Sequence, residues 1–93
     1  MGREENLGKI AAHRAEIDRI DAELVALLNE RAGHSLAIRA LKPGAGMTSI
    51  FDPTREEQIL QKVCDASDKT LYDEGLREIY AVLLKVMKEN PEK

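Results

Sequence analysis

Two cations lie on the apolar face of a predicted amphipathic helix, within the stretch NERAGHSLAIRALKPG at residues 29–44. Arg31 and Lys42 are eleven residues apart, which corresponds to three helical turns and ~16 Å along one face. Either cation alone also fits a structural role, because lysine is favoured at a helix C-terminus and arginine can extend from a coiled-coil seam. Burying both without partners is costly, so the combination predicts a site for a small organic anion that Arg31 binds in bidentate fashion.

The helix that carries these cations is predicted to extend from about Glu5 to Leu41. Its two interleaved heptads are Ile10, Ile17, Leu24, Arg31 and Ile38, and Leu7, Arg14, Asp21, Leu28, Ser35 and Lys42. A helix of about 35 residues spans ~50 Å, more than a compact chain of this size needs, so we expect it to lie against a second copy. Arg14 is ~25 Å from Arg31 along the helix, so it reaches the same small ligand only from an antiparallel second chain. This predicts an interlocked homodimer with two sites shared between the chains.

A second group of charged side chains opens the next predicted helix, in the stretch DPTREE. Asp52 is a typical N-cap and Pro53 a typical first helical residue, so we predict a helix from Pro53 to Ala66. A well-capped, solvated helix start is one interpretation of this stretch. Arg55 in the first turn opposes the helix dipole, however, which indicates a further purpose. We predict that Arg55 and the carboxylate of Glu56 meet the ligand, Glu56 by binding a hydroxyl group.

The remaining pattern predicts a third helix and an all-α fold of one domain, residues 1–93. Apolar residues at helical spacing run from about Thr70 to Glu89, and Pro91 ends the segment. The expected architecture is therefore three helices, one long and two shorter. The chain has 43% hydrophobic residues but only 3% aromatic ones, so its core is small and oligomerisation would bury more surface.

The charge balance and the apolar runs of the chain disfavour several classes of protein. A net charge of -3, with basic and acidic residues interspersed, disfavours binding to nucleic acid. No apolar run has the length of a membrane span or forms a signal peptide, so we expect a cytoplasmic protein without a membrane partner. Cys64 is the single cysteine and is expected to be buried. The sequence also lacks a glycine-rich phosphate loop, so we expect neither a metal site nor a cofactor. The chemistry that remains is positioning and electrostatic stabilisation.

The chain resembles the all-helical chorismate mutase family (type II) from about residue 7 to residue 89. The resemblance is carried by HRAEIDRIDAELVALLNERAGHSLAIRALK, with Arg14, Asp21, Arg31 and Lys42 in register, followed by FDPTREEQIL. Members are intertwined helical dimers that convert chorismate to prephenate by a Claisen rearrangement, a step in aromatic amino-acid biosynthesis. The resemblance implies that Arg14 of one chain and Arg31 of the other bind the two carboxylates of the substrate. It also implies that Lys42 donates to the ether oxygen, where negative charge develops.

The same resemblance assigns roles to the start of the second helix. Asp52 and Glu56 are expected to contact the ring hydroxyl region of the substrate, and Arg55 is expected to help order the site. The predicted catalytic residues are Lys42, Arg31 and Glu56, and the predicted substrate-binding residues are Arg14, Arg31, Asp52, Arg55 and Glu56.

Three residues depart from the family pattern. Met87 and Pro91 occupy positions at which members usually carry a small polar residue and then Gln or Glu, the latter donating a second hydrogen bond to the ether oxygen. Losing such a donor typically costs on the order of 10²–10³ in rate, which predicts weak activity or a different role. Pro43 is also unusual, and we expect it to push Lys42 out of helical geometry.

Two other functions therefore stay open. An isochorismate-pyruvate lyase is similar in fold and uses a comparable set of arginine and lysine residues, although the DPTREE stretch favours the mutase. A non-catalytic dimerisation or regulatory domain that binds a shikimate-type anion is the third possibility, and Met87 and Pro91 favour it. The products formed from chorismate and from isochorismate would separate the three.

Overall fold

The computed structural model describes residues 2–47 and 52–92, and all regular secondary structure in those residues is helical. The elements are helix α1 (Arg3–Leu41), a 3-10 helix (Pro43–Ala45), helix α2 (Pro53–Ala66) and helix α3 (Asp73–Glu89). The prediction of an all-α chain with one long and two shorter helices is confirmed for the described residues. Contacts divide the chain into two compact units, residues 1–33 and residues 34–93.

The first unit, residues 1–33, is formed by the N-terminal part of α1, and α1 contains no buried residue. Its large apolar side chains are between 41% and 60% exposed, and they are Leu7, Ile10, Ile17, Ile20, Leu24, Val25, Leu27 and Leu28. Their 3-4 spacing places many of them along the predicted heptads. Many large exposed apolar side chains on one helix are typical of a surface that associates with another protein surface.

The second unit, residues 34–93, has its core where α2 and α3 pack against each other. Cys64 on α2 is 4% exposed and Leu84 on α3 is 7% exposed. The predicted burial of Cys64 is therefore confirmed. Gly75 at the start of α3 is also buried, and a Cβ atom there would lie 2.5 Å from Cε1 of Tyr72. Glycine at position 75 therefore leaves room for the Tyr72 ring.

The link between α2 and α3 explains why α3 begins at Asp73 and why the predicted start at Thr70 is wrong. Lys69 has a φ of 74°, a left-handed conformation that is incompatible with a continuing α-helix. Its backbone N–H donates to Oγ of Ser67 at 3.1 Å, and its Nζ donates to the carbonyl oxygen of Cys64 at 2.6 Å. Nζ also donates to Oδ1 of Asp73 at 3.0 Å, and this hydrogen bond raises the pKa of Lys69. Lys69 therefore connects the end of α2 to the start of α3.

Arg39, in the last turn of α1, stabilises the C-terminus of α3. Its guanidinium donates to the carbonyl oxygens of Asn90 at 2.8 Å, Met87 at 2.9 Å and Lys88 at 2.9 Å. The last carbonyl groups of a helix lack intrahelical partners and carry the negative end of the helix dipole. A planar, permanently charged donor with several N–H groups suits this position better than any other side chain. Arg39 was not identified as important from the sequence.

Arg39→Ala should lower the free energy of unfolding by about 2 kcal/mol, because charge-assisted hydrogen bonds at half-buried carbonyl groups are lost together. Urea denaturation at a fixed protein concentration measures the effect. Arg19→Ala is the matched control, since Arg19 pairs only with exposed glutamates of α1, Glu16 and Glu23, in the contacts described for it. We expect the control to change stability by less than about 0.5 kcal/mol. Equal losses in the two variants would contradict a stabilising role for Arg39.

Candidate active site

The side chains that the sequence predicts to form the site lie at three places in the chain. They are Arg14 and Arg31 on α1, Lys42 directly after α1, and Asp52, Arg55 and Glu56 at the start of α2. Helix α1 is continuous between Arg14 and Arg31, so these residues are ~25 Å apart along its axis. One chain therefore does not bring both arginines to a single small ligand. The three residues of α2, in contrast, lie within about one turn of each other.

Lys42 has helical geometry, and the expectation that Pro43 displaces it is wrong. Its φ is -55° and its ψ is -46°, and its N–H donates to the carbonyl oxygen of Ile38 at 3.0 Å. Pro43 begins the 3-10 helix, at a position where no backbone donor is needed. The carbonyl oxygen of Lys42 accepts from the N–H groups of Ala45 at 3.0 Å and Met47 at 2.8 Å. These hydrogen bonds outweigh the steric bias against helical geometry before proline, and they fix the backbone at Lys42.

Asp52 caps α2, as the sequence predicts. Its backbone is extended, and its Oδ1 accepts from the backbone N–H of Arg55 at 3.0 Å. Its carbonyl oxygen accepts from the N–H of Glu56 at 3.0 Å. Such a cap contributes about 1 kcal/mol and fixes the first turn of the helix. By fixing this turn, Asp52 sets the backbone positions from which the side chains of Arg55 and Glu56 project.

Glu56 forms an ion pair with Lys88 on α3, a contact that was not predicted from the sequence. The Nζ atom of Lys88 lies 3.3 Å from Oε1 and 3.5 Å from Oε2 of Glu56. The side chains are 35% exposed for Lys88 and 24% exposed for Glu56, so the pair is half-buried. The pair could not be predicted from local spacing, because its residues are 32 positions apart. A lysine in the last turn of a helix is also common, because it interacts favourably with the helix dipole.

A second pair joins α2 and α3 closer to the solvent. Nη2 of Arg77 lies 3.1 Å from Oε1 of Glu57 and 3.4 Å from Oε1 of Gln61. The hydrogen bond to Glu57 raises the pKa of Arg77. Because Glu57 is largely exposed, this pair adds little to stability, but it constrains the same helix that carries Glu56.

Helix α3 ends before Pro91, in agreement with the prediction that this proline terminates it. The last helical residue is Glu89, and Asn90 is extended, with φ -62° and ψ 120°. Met87 lies in the last turn, is half-buried, and uses its carbonyl oxygen to accept from Arg39. Position 91 therefore lies beyond the end of α3. The end of α3 contributes Lys88 to the neighbourhood of Glu56.

The described side chains offer charged hydrogen-bonding groups. No group of three or more His, Cys, Asp and Glu residues in the described part of the chain could hold a metal ion. Nor do residues 2–47 and 52–92 include a helix that is both long and apolar enough to cross a lipid bilayer. The chemistry available to Lys42, Arg55 and Glu56 is binding, orientation and stabilisation of charge.

Comparison with known proteins identifies relatives for most of the chain. The sequence profile of the family described as Chorismate mutase type II matches residues 13–91. A bifunctional chorismate mutase/prephenate dehydratase of Neisseria gonorrhoeae is 41% identical over 68 residues, which cover 73% of this chain and 18% of that protein. Another bifunctional chorismate mutase/prephenate dehydratase, from Aquifex aeolicus, is 46% identical over 50 residues, which cover 54% of this chain and 14% of that protein. No solved structure matches the chain significantly. The chain thus spans less than a fifth of the length of either relative.

Proposed function

Because the chain belongs to the chorismate mutase type II family, we propose that it catalyses the Claisen rearrangement of chorismate to prephenate. The observation that carries this proposal is the family match over residues 13–91, a region that contains each of the predicted site residues. They are Arg14, Arg31, Lys42, Asp52, Arg55 and Glu56. The same region retains the capped helix start at Asp52 that presents Arg55 and Glu56.

The reaction needs only what these side chains can supply. One C–O bond breaks while one C–C bond forms within the same molecule, so no nucleophile and no cofactor is required. An enzyme accelerates such a step by holding the substrate in a near-attack shape and by stabilising the charge that develops on the ether oxygen. We assign the two carboxylates of the substrate to Arg31 and to Arg14 of a second chain, and the ether oxygen to Lys42. Asp52 and Glu56 address the ring hydroxyl region, and Arg55 orders the site.

An intertwined homodimer is part of the same proposal. Helix α1 has 39 residues and spans ~58 Å, and its apolar side chains in the first unit are uncovered. A second copy of α1 in antiparallel orientation would cover this surface and bring the second copy of Arg14 to the site that contains Arg31. Each dimer would then hold two equivalent sites, and neither site would be complete in one chain.

The proposal is limited to the mutase reaction. Both curated relatives are named for a second activity, prephenate dehydratase, but this chain spans only 18% and 14% of their lengths. We propose for this chain a role in aromatic amino-acid biosynthesis and, following the sequence analysis, a cytoplasmic location. A non-catalytic domain that binds a shikimate-type anion is the second candidate, and the specific observation that favours it is Met87 and Pro91 at the family's polar positions.

Product analysis tests the proposal directly. The purified chain is mixed with chorismate and, separately, with isochorismate, and the products are identified by chromatography and mass spectrometry. We expect prephenate from chorismate. Salicylate together with pyruvate from isochorismate would instead identify a lyase, and no turnover of either compound would leave the non-catalytic domain. Arg31→Ala, purified in the same way, controls for a contaminating mutase of the expression host, because its preparation should be inactive.

A further inference from the structure

The ion pair between Lys88 and Glu56 is more buried than six other ion pairs of the described residues. Each of those six pairs includes a side chain that is at least 55% exposed, as in the pair of Lys85 and Glu89 at 73% and 62%. The pair of Lys88 and Glu56 is 35% and 24% exposed. Exposed pairs are loosely held and screened by solvent, whereas a half-buried pair restricts both side chains to one geometry.

Lys88 contacts Glu56 through its side chain and Arg39 through its backbone. Its Nζ is close to both carboxylate oxygens of Glu56, 3.3 Å from Oε1 and 3.5 Å from Oε2. The carbonyl oxygen of Lys88 accepts from Nη2 of Arg39 at 2.9 Å. Arg39 therefore holds the backbone of Lys88 at the end of α3, and Lys88 in turn holds the carboxylate of Glu56 at the start of α2.

A glutamate that binds a substrate hydroxyl faces two difficulties that Lys88 would remove. A long side chain loses rotamer freedom when it binds, and an unpaired carboxylate repels a substrate that carries two carboxylates. A carboxylate has about four positions at which it can accept hydrogen bonds, so one ammonium leaves others open for a hydroxyl. Pairing with Lys88 thus orients Glu56 and balances its charge without blocking it.

From this geometry we propose that Lys88 is a positioning residue, which holds the Glu56 carboxylate ready to accept a hydrogen bond from the hydroxyl group of the substrate. The proposal rests on the proposed mutase function. The contact with the hydroxyl is remote from the bonds that break and form, so it is made equally in the bound substrate and in the transition state. Removing such a contact raises KM and leaves kcat nearly unchanged.

Steady-state kinetics of Lys88→Met with chorismate test the role. Methionine keeps an unbranched side chain that extends to Cε and lacks the ammonium group. We expect KM to rise about tenfold, the equivalent of one lost charge-assisted hydrogen bond, while kcat stays within about twofold. Lys88→Arg retains a cation and should restore most of the affinity. Lys85→Met is the matched control on the same helix, and its KM should stay within about twofold of the unmodified chain.

A double-mutant cycle with Glu56→Gln distinguishes positioning from other roles. If Lys88 acts through Glu56, Lys88→Met should change KM by less than about twofold in the Glu56→Gln background. Additive effects would overturn the proposal, since they would mean that Lys88 acts independently of Glu56. An unchanged KM in Lys88→Met alone would overturn it as well. Thermal unfolding of each variant shows whether the fold is kept, and Lys88→Gln replaces Lys88→Met if the latter does not fold.

The same experiment separates this proposal from the proposed function. If the unmodified chain forms no prephenate, the proposed function fails and the role of Lys88 fails with it. If the unmodified chain forms prephenate and Lys88→Met has an unchanged KM, the mutase function stands and only the positioning role of Lys88 is overturned.

Discussion

Lys42→Ala should lower kcat for the rearrangement of chorismate by on the order of 10²–10³, the usual loss when one donor to a developing negative charge is removed. The physical reason is that the ether oxygen carries little charge in the bound substrate and more in the transition state. An ammonium group directed at that oxygen therefore stabilises the transition state selectively, so its loss appears in kcat more than in KM. The resemblance described from the sequence implies that Met87 and Pro91 stand at positions where polar side chains are usual, and we therefore expect Lys42 to supply more of this stabilisation.

Initial-rate kinetics on purified Lys42→Ala measure this effect, with Lys62→Ala as the matched control. Lys62 lies on the exposed side of α2 and is not among the predicted site residues, so its variant should keep its full rate. Analytical ultracentrifugation of both variants should show an unchanged oligomeric state, since Lys42 is not assigned to an apolar contact. An unchanged rate in Lys42→Ala would remove this residue from the mechanism.

The backbone around Lys42 supports the size of the expected effect. Three hydrogen bonds involve its own N–H and carbonyl groups, and they connect it to the last turn of α1 and to the 3-10 helix. Gly46 closes this segment at a φ of 77°, a conformation that glycine adopts without strain, and its N–H donates to the carbonyl oxygen of Pro43. A side chain that begins from so constrained a backbone loses less entropy when it binds than one on a free loop.

Local sequence signals predicted the helices best where the physical cause was also local. The start of α2 was predicted correctly because Asp52 and Pro53 act on the backbone within one turn. The length of α1 followed from apolar spacing, which reports a periodic surface even before its partner is known. The start of α3 was predicted three residues too early, because nothing in the type of residue at Lys69 signals a left-handed backbone. Contacts from Ser67 and Asp73 hold that conformation, and they depend on the folded turn.

The contacts around the candidate site were predicted from the sequence only in part, and for a related reason. Residue types and spacing were enough to select Arg31, Lys42 and Glu56 as candidates. They did not reveal Arg39 or Lys88, because these side chains act across 48 to 51 residues and across 32 residues, respectively. Such pairs form only when α3 has been placed by the packing of the second unit. Charged side chains that contact each other only in the tertiary structure leave no periodic pattern along the sequence.

Mixing two inactive variants should restore activity if the sites are shared between chains. In the proposed arrangement, Arg14→Ala lacks a group that one chain contributes to the site of the other, and Lys42→Ala lacks a group that the receiving chain provides. When equal amounts are unfolded together and reassembled at random, half of the dimers contain one chain of each kind. One of the two sites in each mixed dimer then has both an intact Arg14 and an intact Lys42. About a quarter of all sites should therefore be active, with a kcat per active site like that of the unmodified protein.

The controls for this experiment decide between shared and separate sites. Each variant refolded alone should stay inactive, which excludes recovery through the refolding procedure itself. A double variant, carrying Arg14→Ala and Lys42→Ala in one chain, should restore no activity to an Arg14→Ala chain, because no site in their mixed dimer has both residues intact. Mass spectrometry under native conditions measures the fraction of mixed dimers. Mixed dimers without activity would show that Arg14 acts in the site of its own chain. Such a site could not also contain Arg31, because α1 holds the two arginines ~25 Å apart. This outcome would therefore contradict the proposed shared site.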